Sequence, residues 1–179
     1  MDSRKKILAI CGSTRSNSTN LQLIKAIAEI AAADIDIEIY SDLSFLPHFN
    51  PDLDNEAVPD SVKIFRSKIE NVDGILICTP EYVFSLPGSL KNAIEWMVST
   101  TLFSGKPVAL ITASGLGEKA HESLLLIMKT VEAKFTEQTQ LHISGARTKV
   151  NMKNKITDAA TMEKIKLLLN AFINLINEK

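Results

Sequence analysis

Three runs of apolar residues stand out along the chain: Ile7–Cys11, Gly74–Cys78 and Val108–Thr112. Each is short and uninterrupted, as in strands buried on both faces of a parallel sheet. Each stops abruptly at a small or hydroxyl-bearing residue and a polar, aperiodic loop follows. A fourth segment alternates instead, with Ile35, Ile37 and Ile39 separated by Asp36 and Glu38, which predicts a strand near a sheet edge. Gln140–Ser144 predicts a shorter fifth strand.

Between these runs the period lengthens to three and four. Helices are predicted over Leu21–Ala33, Pro59–Val72, the stretch after Pro87, Glu118–Phe135 and Thr157–Ile176. For the first, Ser18 is a suitable N-cap and Thr19 with Gln22 a possible capping box. For the third, Pro87 fits the first turn and Ser85 the cap, with Leu90, Ala93, Ile94, Met97 and Val98 as the apolar stripe. Residues 41–59 are irregular and rich in breakers (Pro47, Asn50-Pro51, Asp54-Asn55, Pro59), and a connection of that length is often functional.

Five strands alternating with helices imply an α/β fold, a parallel sheet with helices on both faces. No repeat or linker interrupts the 179 residues, so residues 1–179 are expected to form a single domain. In such sheets ligands bind beyond the carboxyl ends of the strands. The loops 12–20, 79–89 and 113–118 should therefore meet at one crevice.

Composition narrows the class. Apolar residues make up 45% and charged residues 23%, ordinary for a globular protein, and a net charge of −1 gives no global field for nucleic acid. The basic Met1–Lys6 start lacks a signal peptide's long apolar run and cleavage site, and no stretch spans a bilayer, so a cytoplasmic location without membrane insertion is expected. Cys11 and Cys78 sit inside apolar runs without C-x-x-C spacing and read as reduced core residues. His48, His121 and His142 are scattered and form no metal pattern, so no metal site is expected.

The first loop carries the chemistry. It offers the hydroxyls of Ser13, Thr14, Ser16, Ser18 and Thr19, the amides of Asn17 and Asn20, the Arg15 guanidinium and the free N–H groups of the next helix. Such donors favour a phosphate. The loop lacks both G-x-G-x-x-G and G-x-x-x-x-G-K-[ST], which speaks against a dinucleotide fold and a P-loop NTPase. Tyr82 and Phe84 in the second loop suit a flat ring, and Ser114-Gly115 in the third allows close backbone approach. A phosphate at one end and a planar ring at the other describe FMN. Glu81 reads as solvent-facing or as a backbone contributor. Trp96 lies off its helix's apolar stripe, which leaves two readings open: packing against a loop or, with Phe103, a dimer contact. The Arg147–Lys155 segment reads as a solvated connection.

Two stretches, Gly12-Ser13-Thr14-Arg15-x-x-Ser18-x-Asn20 and Thr79-Pro80-Glu81-Tyr82-x-x-Ser85-x-Pro87-Gly88-x-Leu90-Lys91-Asn92-Ala93-Ile94-Glu95-Trp96, resemble the two signatures of the NADPH-dependent FMN reductase family, the flavodoxin-like group of chromate and quinone reductases. The resemblance implies a doubly wound five-stranded sheet of order 2-1-3-4-5. It implies a tightly bound FMN, with NADPH or NADH as co-substrate and a quinone, free flavin, azo dye or metal oxyanion as acceptor. It further implies a homodimer or homotetramer. By motif position, Ser13, Arg15, Ser18 and Asn20 would hold the phosphate. Pro80, Glu81, Tyr82, Val83, Phe84 and Ser85 would line the flavin, with Ser114 and Gly115 on its other side. Lys119 stands where the family usually has an arginine. An electron carrier of flavodoxin type, which takes no hydride from NAD(P)H, is the alternative; a nucleotide-binding protein without redox chemistry is a third.

Overall fold

The apolar runs pair in parallel, and one five-stranded sheet results. The computed structural model describes residues 4–178; Met1–Ser3 of the basic N-terminal start lie outside them. Strands β1 (Lys5–Cys11), β2 (Ile35–Tyr40), β3 (Gly74–Thr79), β4 (Val108–Ala113) and β5 (Gln140–Ile143) lie in the order β2-β1-β3-β4-β5. Every pairing is parallel, with Cys11 opposite Cys78 and Thr79 opposite Thr112 in register. The edge position of β2 accounts for its alternating pattern, since Asp36 and Glu38 face solvent.

Helices α1 (Thr19–Ala31), α2 (Asp60–Glu70), α3 (Gly88–Glu95), α4 (Glu118–Thr130) and α5 (Ala159–Asn177) cover both faces. Successive residues of a strand point to opposite sides, so each central strand feeds two cores. Leu8, Ile10, Ile75, Ile77 and Leu110 meet Phe65 of α2, Leu90 of α3 and Leu124 of α4. Ile7, Ala9, Leu76 and Ile111 meet Ile24 and Ile27 of α1 and Phe172 of α5. Each such large side chain contributes about 1.5–3 kcal/mol by leaving water. A β-carbon at Gly74 would lie 2.8 Å from the Phe172 ring, so the glycine lets α5 settle on the sheet.

Helix α3 is shorter than its stripe suggested. It ends at Glu95 with Met97 buried but Val98 exposed. Trp96 is fully buried, which removes it and the equally buried Phe103 as evidence for a dimer contact. Its indole Nε1 donates to the Pro47 carbonyl at 2.8 Å, and its ring meets Phe49 edge-on at 5.1 Å. Asn92 donates to the same carbonyl at 2.9 Å and accepts from the Phe49 amide at 2.7 Å. Asp54 pairs with Arg66 of α2 at 2.7 Å. The irregular 41–59 segment is thus tied down at both α2 and α3, and two short 3-10 turns, Leu43–Phe45 and Pro51–Leu53, lie within it.

Helix α4 stops at Thr130, before the expected Phe135. Glu132 adopts φ 58°, and the Ala133 amide donates back to the Met128 carbonyl at 3.0 Å. That left-handed closure is usually made by glycine, which is why the stop was invisible in the pattern. Among the described residues no helix is long and apolar enough to cross a membrane.

Candidate active site

A parallel sheet brings the carboxyl ends of all its strands to one edge, and four connections converge there. At the end of β1 the chain must cross β3 closely. A β-carbon on Gly12 would lie 2.3 Å from Thr79 Oγ1, so only glycine fits. The Gly12 amide donates to the Cys78 carbonyl at 2.9 Å. Ser13, Ser18 and Asn20 are buried beyond it, while Arg15 is exposed. Ser18 is the N-cap of α1, its hydroxyl accepting from the Asn20 amide at 3.2 Å. The Asn20 side chain is engaged at both ends: it donates to the Ala113 carbonyl at 3.1 Å and accepts from the Cys78 thiol at 3.2 Å. Asn20 therefore braces the first loop against β3 and β4, and the second N–H of its amide is left to face the cavity it lines. Neither thiol is in a disulfide, and burial pushes each above its ordinary value, so they stay protonated.

The second loop departs from expectation. Tyr82 and Ser85 exchange backbone hydrogen bonds at 3.0 and 3.1 Å around a two-residue turn. Val83 and Phe84 at its tip take φ 52° and 55°. Both central positions are left-handed, a geometry that normally selects Asn-Gly. Ser85 is spent in this turn and does not cap α3, which starts after Pro87 with no side-chain cap. Val83 and Phe84 are 94% and 71% exposed, and the tip stands out from the crevice. The Glu81 carboxylate neither faces water nor serves only through its backbone. It accepts from the amides of Gly117 at 3.3 Å and Ala120 at 3.0 Å, capping α4 from across the crevice.

The third loop, after β4, is joined to a fourth that follows β5. Ser114 N–H donates to Ile143 O at 3.1 Å, Ala146 N–H to Ser114 O at 3.0 Å and Gly145 N–H to Gly115 O at 3.0 Å. Gly145 turns at φ 63° into a short 3-10 segment, Ala146–Thr148. Behind the loop two of the three histidines expected to be scattered form a pair. His121 and His142 stack at 5.8 Å; His121 Nδ1 lies 3.0 Å from Thr112 Oγ1 and His142 Nε2 lies 2.6 Å from the Leu116 carbonyl. A carbonyl only accepts, so His142 carries its proton on Nε2. Burial and the neighbouring His142 hold His121 below the ordinary imidazole value. Gly117, at φ 96°, leaves room for the His142 ring.

The loops enclose a cavity of about 350 Å³, within the usual range for small-ligand sites. Ser13, Arg15, Ser18, Asn20, Pro80, Glu81, Tyr82, Ser114 and Gly115 line it, and Val83, Phe84 and Ser85 do not. Thr19 and Ala113 of the expected loops line it too, and the sequence reading missed Gly145, Ala146, Arg147 and Thr148. The fourth loop was legible in principle, since β5 in a parallel sheet must end on the same edge. Part of the basic segment read as a solvated connection is thereby a wall of the site. Lys119 is not in the wall; it pairs with Glu122 at 2.7 Å.

The wall combines two kinds of group. The first and fourth loops bring the Ser13 and Ser18 hydroxyls, the amides opening α1 and two guanidinium groups, Arg15 and Arg147. The second and third bring Pro80, the half-exposed Tyr82 ring and the backbone of Ser114-Gly115. The first set suits an anionic phosphate and the second a flat ring, as FMN requires.

The sequence profile of the NADPH-dependent FMN reductase family matches residues 5–148. An NAD(P)H:quinone oxidoreductase of Solanum tuberosum is 33% identical over 175 residues, covering 93% of this chain and 90% of its own. An NAD(P)H-dependent FMN reductase of Pseudomonas aeruginosa is 32% identical over 171 residues, covering 93% and 92%. The solved structure of a flavoenzyme NAD(P)H:(acceptor) oxidoreductase from Paracoccus denitrificans superposes with a TM-score of 0.79 at 27% identity, over 97% of both chains.

Proposed function

Because this chain belongs to the NADPH-dependent FMN reductase family, we propose that it is an FMN-dependent NAD(P)H oxidoreductase whose acceptor is a small molecule, a quinone foremost. The observation that carries this reading is the cavity's lining, in which hydroxyls and guanidinium groups from the first and fourth loops join an aromatic ring and bare backbone from the second and third. The reductase and quinone oxidoreductase relatives favour an enzyme over a flavodoxin-type carrier.

Bound FMN supplies the transfer of electrons from NAD(P)H to the second substrate. The chain supplies binding, orientation and electrostatics. Ser13, Ser18, Arg15 and the first amides of α1 hold the phosphate, and Asn20 keeps that loop in place. Pro80, Tyr82 and the Ser114-Gly115 backbone hold the ring. The Ser114 hydroxyl, which has no partner among the described residues, is a side-chain donor for charge developing at the ring edge. Val83, Phe84 and Ser85 stand at the mouth, where nicotinamide and acceptor would arrive in turn. No side chain is assigned as general acid or base.

The same reading places the enzyme in the cytoplasm, consistent with two buried cysteines that form no disulfide. It also makes the enzyme a homodimer or homotetramer, for which the exposed Val98 and the apolar groove of Phe49, Ile94, Ile127 and Val131 beside it are suitable surfaces.

An anaerobic titration of the FMN-loaded protein with NADPH and then NADH, followed in the visible flavin band, tests the proposal. Bleaching by about one equivalent is expected for direct transfer to the flavin. Bound FMN that neither nucleotide bleaches would make the protein a carrier. Failure to bind FMN would overturn the phosphate-cradle reading itself.

A further inference from the structure

The crevice does not close behind the phosphate end. A second cavity of about 520 Å³ continues from it, between the N-terminal turns of α1 and the 147–157 segment. The two share Arg15, Thr19, Arg147 and Thr148 in their walls. Asn17, Gln22, Asn151 and Thr157 add neutral polar groups to the second, and no carboxylate lines it. Among the described ion pairs neither Arg15 nor Arg147 has an acidic partner. Two uncompensated guanidinium groups therefore sit on the boundary between two polar cavities.

The far wall is built, not loose. Gly145 and Ala146 fasten the turn before Arg147 to the third loop at 3.0 Å each. The Asn151 side chain accepts from the amides of Lys153 at 2.9 Å and Lys155 at 3.1 Å, and Thr157 N–H donates to Lys149 O at 2.9 Å. Gln22 of α1 reaches Met152 across the outer rim at 3.0 Å. A single phosphate is served by the first loop, its helix amides and Arg15. The second guanidinium, brought to the boundary by the turn after β5, exceeds that need.

We propose that Arg147, which shares this boundary with Arg15, forms a second phosphate subsite, and that the cavity beyond it takes a phosphorylated adenosine. The inference rests on the first loop holding the flavin phosphate. Two ligands carry this chemistry: the adenylate half of FAD, continuous with the flavin phosphate, and the 2′-phosphorylated adenosine of NADPH.

The test uses the full chain and its Arg147→Gln and Arg147→Lys variants. Flavin-free protein is titrated with FMN and with FAD by flavin fluorescence, and FMN-loaded protein is assayed with NADPH and with NADH. In Arg147→Gln, the FAD-to-FMN affinity ratio or the NADPH-to-NADH ratio of kcat/KM falls about tenfold or more, the worth of one charge-assisted hydrogen bond, and Arg147→Lys recovers part of it. A fall in the first ratio identifies the flavin dinucleotide, a fall in the second the 2′-phosphate. If both ratios stay within about twofold of wild type, the second subsite does not exist. Arg15→Gln, titrated with FMN and riboflavin, tests the underlying reading separately. If it leaves the preference for FMN over riboflavin intact, the phosphate assignment of the first loop fails, whatever Arg147 does.

Discussion

The Glu81 carboxylate accepts a hydrogen bond from the Ala120 amide at 3.0 Å, joining the second loop to the start of α4. Gly117, the residue before that helix, has no side chain to cap it, so its orphan amides are satisfied from another strand end. Removing the carboxylate in Glu81→Ala should cost about 0.5–2 kcal/mol of stability, as for other N-caps. It should also weaken FMN binding, because the 113–117 loop loses its tether. Glu81→Gln keeps an acceptor and should lose less on both counts. Thermal unfolding and flavin titration of the two variants check this; equal effects would mean that the charge, not the cap geometry, matters.

The His121–His142 pair makes stability depend on pH. His121 has a folded-state value below the ordinary 6.5, because of burial and then His142. The unfolded chain therefore binds this proton more readily than the folded one. Stability is intact above about 6.5 and is lost progressively as pH falls through that value towards the folded one. Urea unfolding at a series of pH values should show this slope, and His121→Gln should flatten it below about pH 6.5. An unchanged slope would assign the dependence to other groups.

Val83 occupies a left-handed position that a β-branched side chain adopts only under strain. Val83→Asn should raise stability by about 1 kcal/mol, since asparagine visits this region readily. For a chain of this size that corresponds to a Tm increase of about 2–4 °C. A lower Tm in Val83→Asn would show that the exposed valine is held by contacts the isolated chain does not reveal, such as a second copy.

Asn92 and Trp96 both donate to the Pro47 carbonyl. Asn92→Ala leaves that carbonyl with one donor and the Phe49 amide with none, and should cost about 1–3 kcal/mol. Trp96→Phe removes the other donor. Because the two share an acceptor, the double variant should depart from additivity by about 0.5 kcal/mol or more. Additive losses in a chemical-denaturation cycle would mean that the 47–49 segment is held elsewhere.

The sequence by itself determined what depends on neighbours along the chain. Uninterrupted apolar runs can be only buried strands or buried helical stretches, and their length and abrupt polar ends identified Ile7–Cys11, Gly74–Cys78 and Val108–Thr112 as the former. Parallel order, the crevice and most of its wall followed, as did the family, through the long signature from Thr79 to Trp96. Only the tertiary structure decided the rest. Trp96 looked misplaced on its helix because its partner, the Pro47 carbonyl, lies 49 residues away. Glu81 looked idle because the amides it caps lie 36 and 39 residues on. The histidines became a pair, and Arg147 became a wall of the site, only once β5 had been laid beside β4. Periodicity reports which face of an element leaves water; it carries no record of which distant polar group will be waiting there, because packing chooses that partner after the elements have formed.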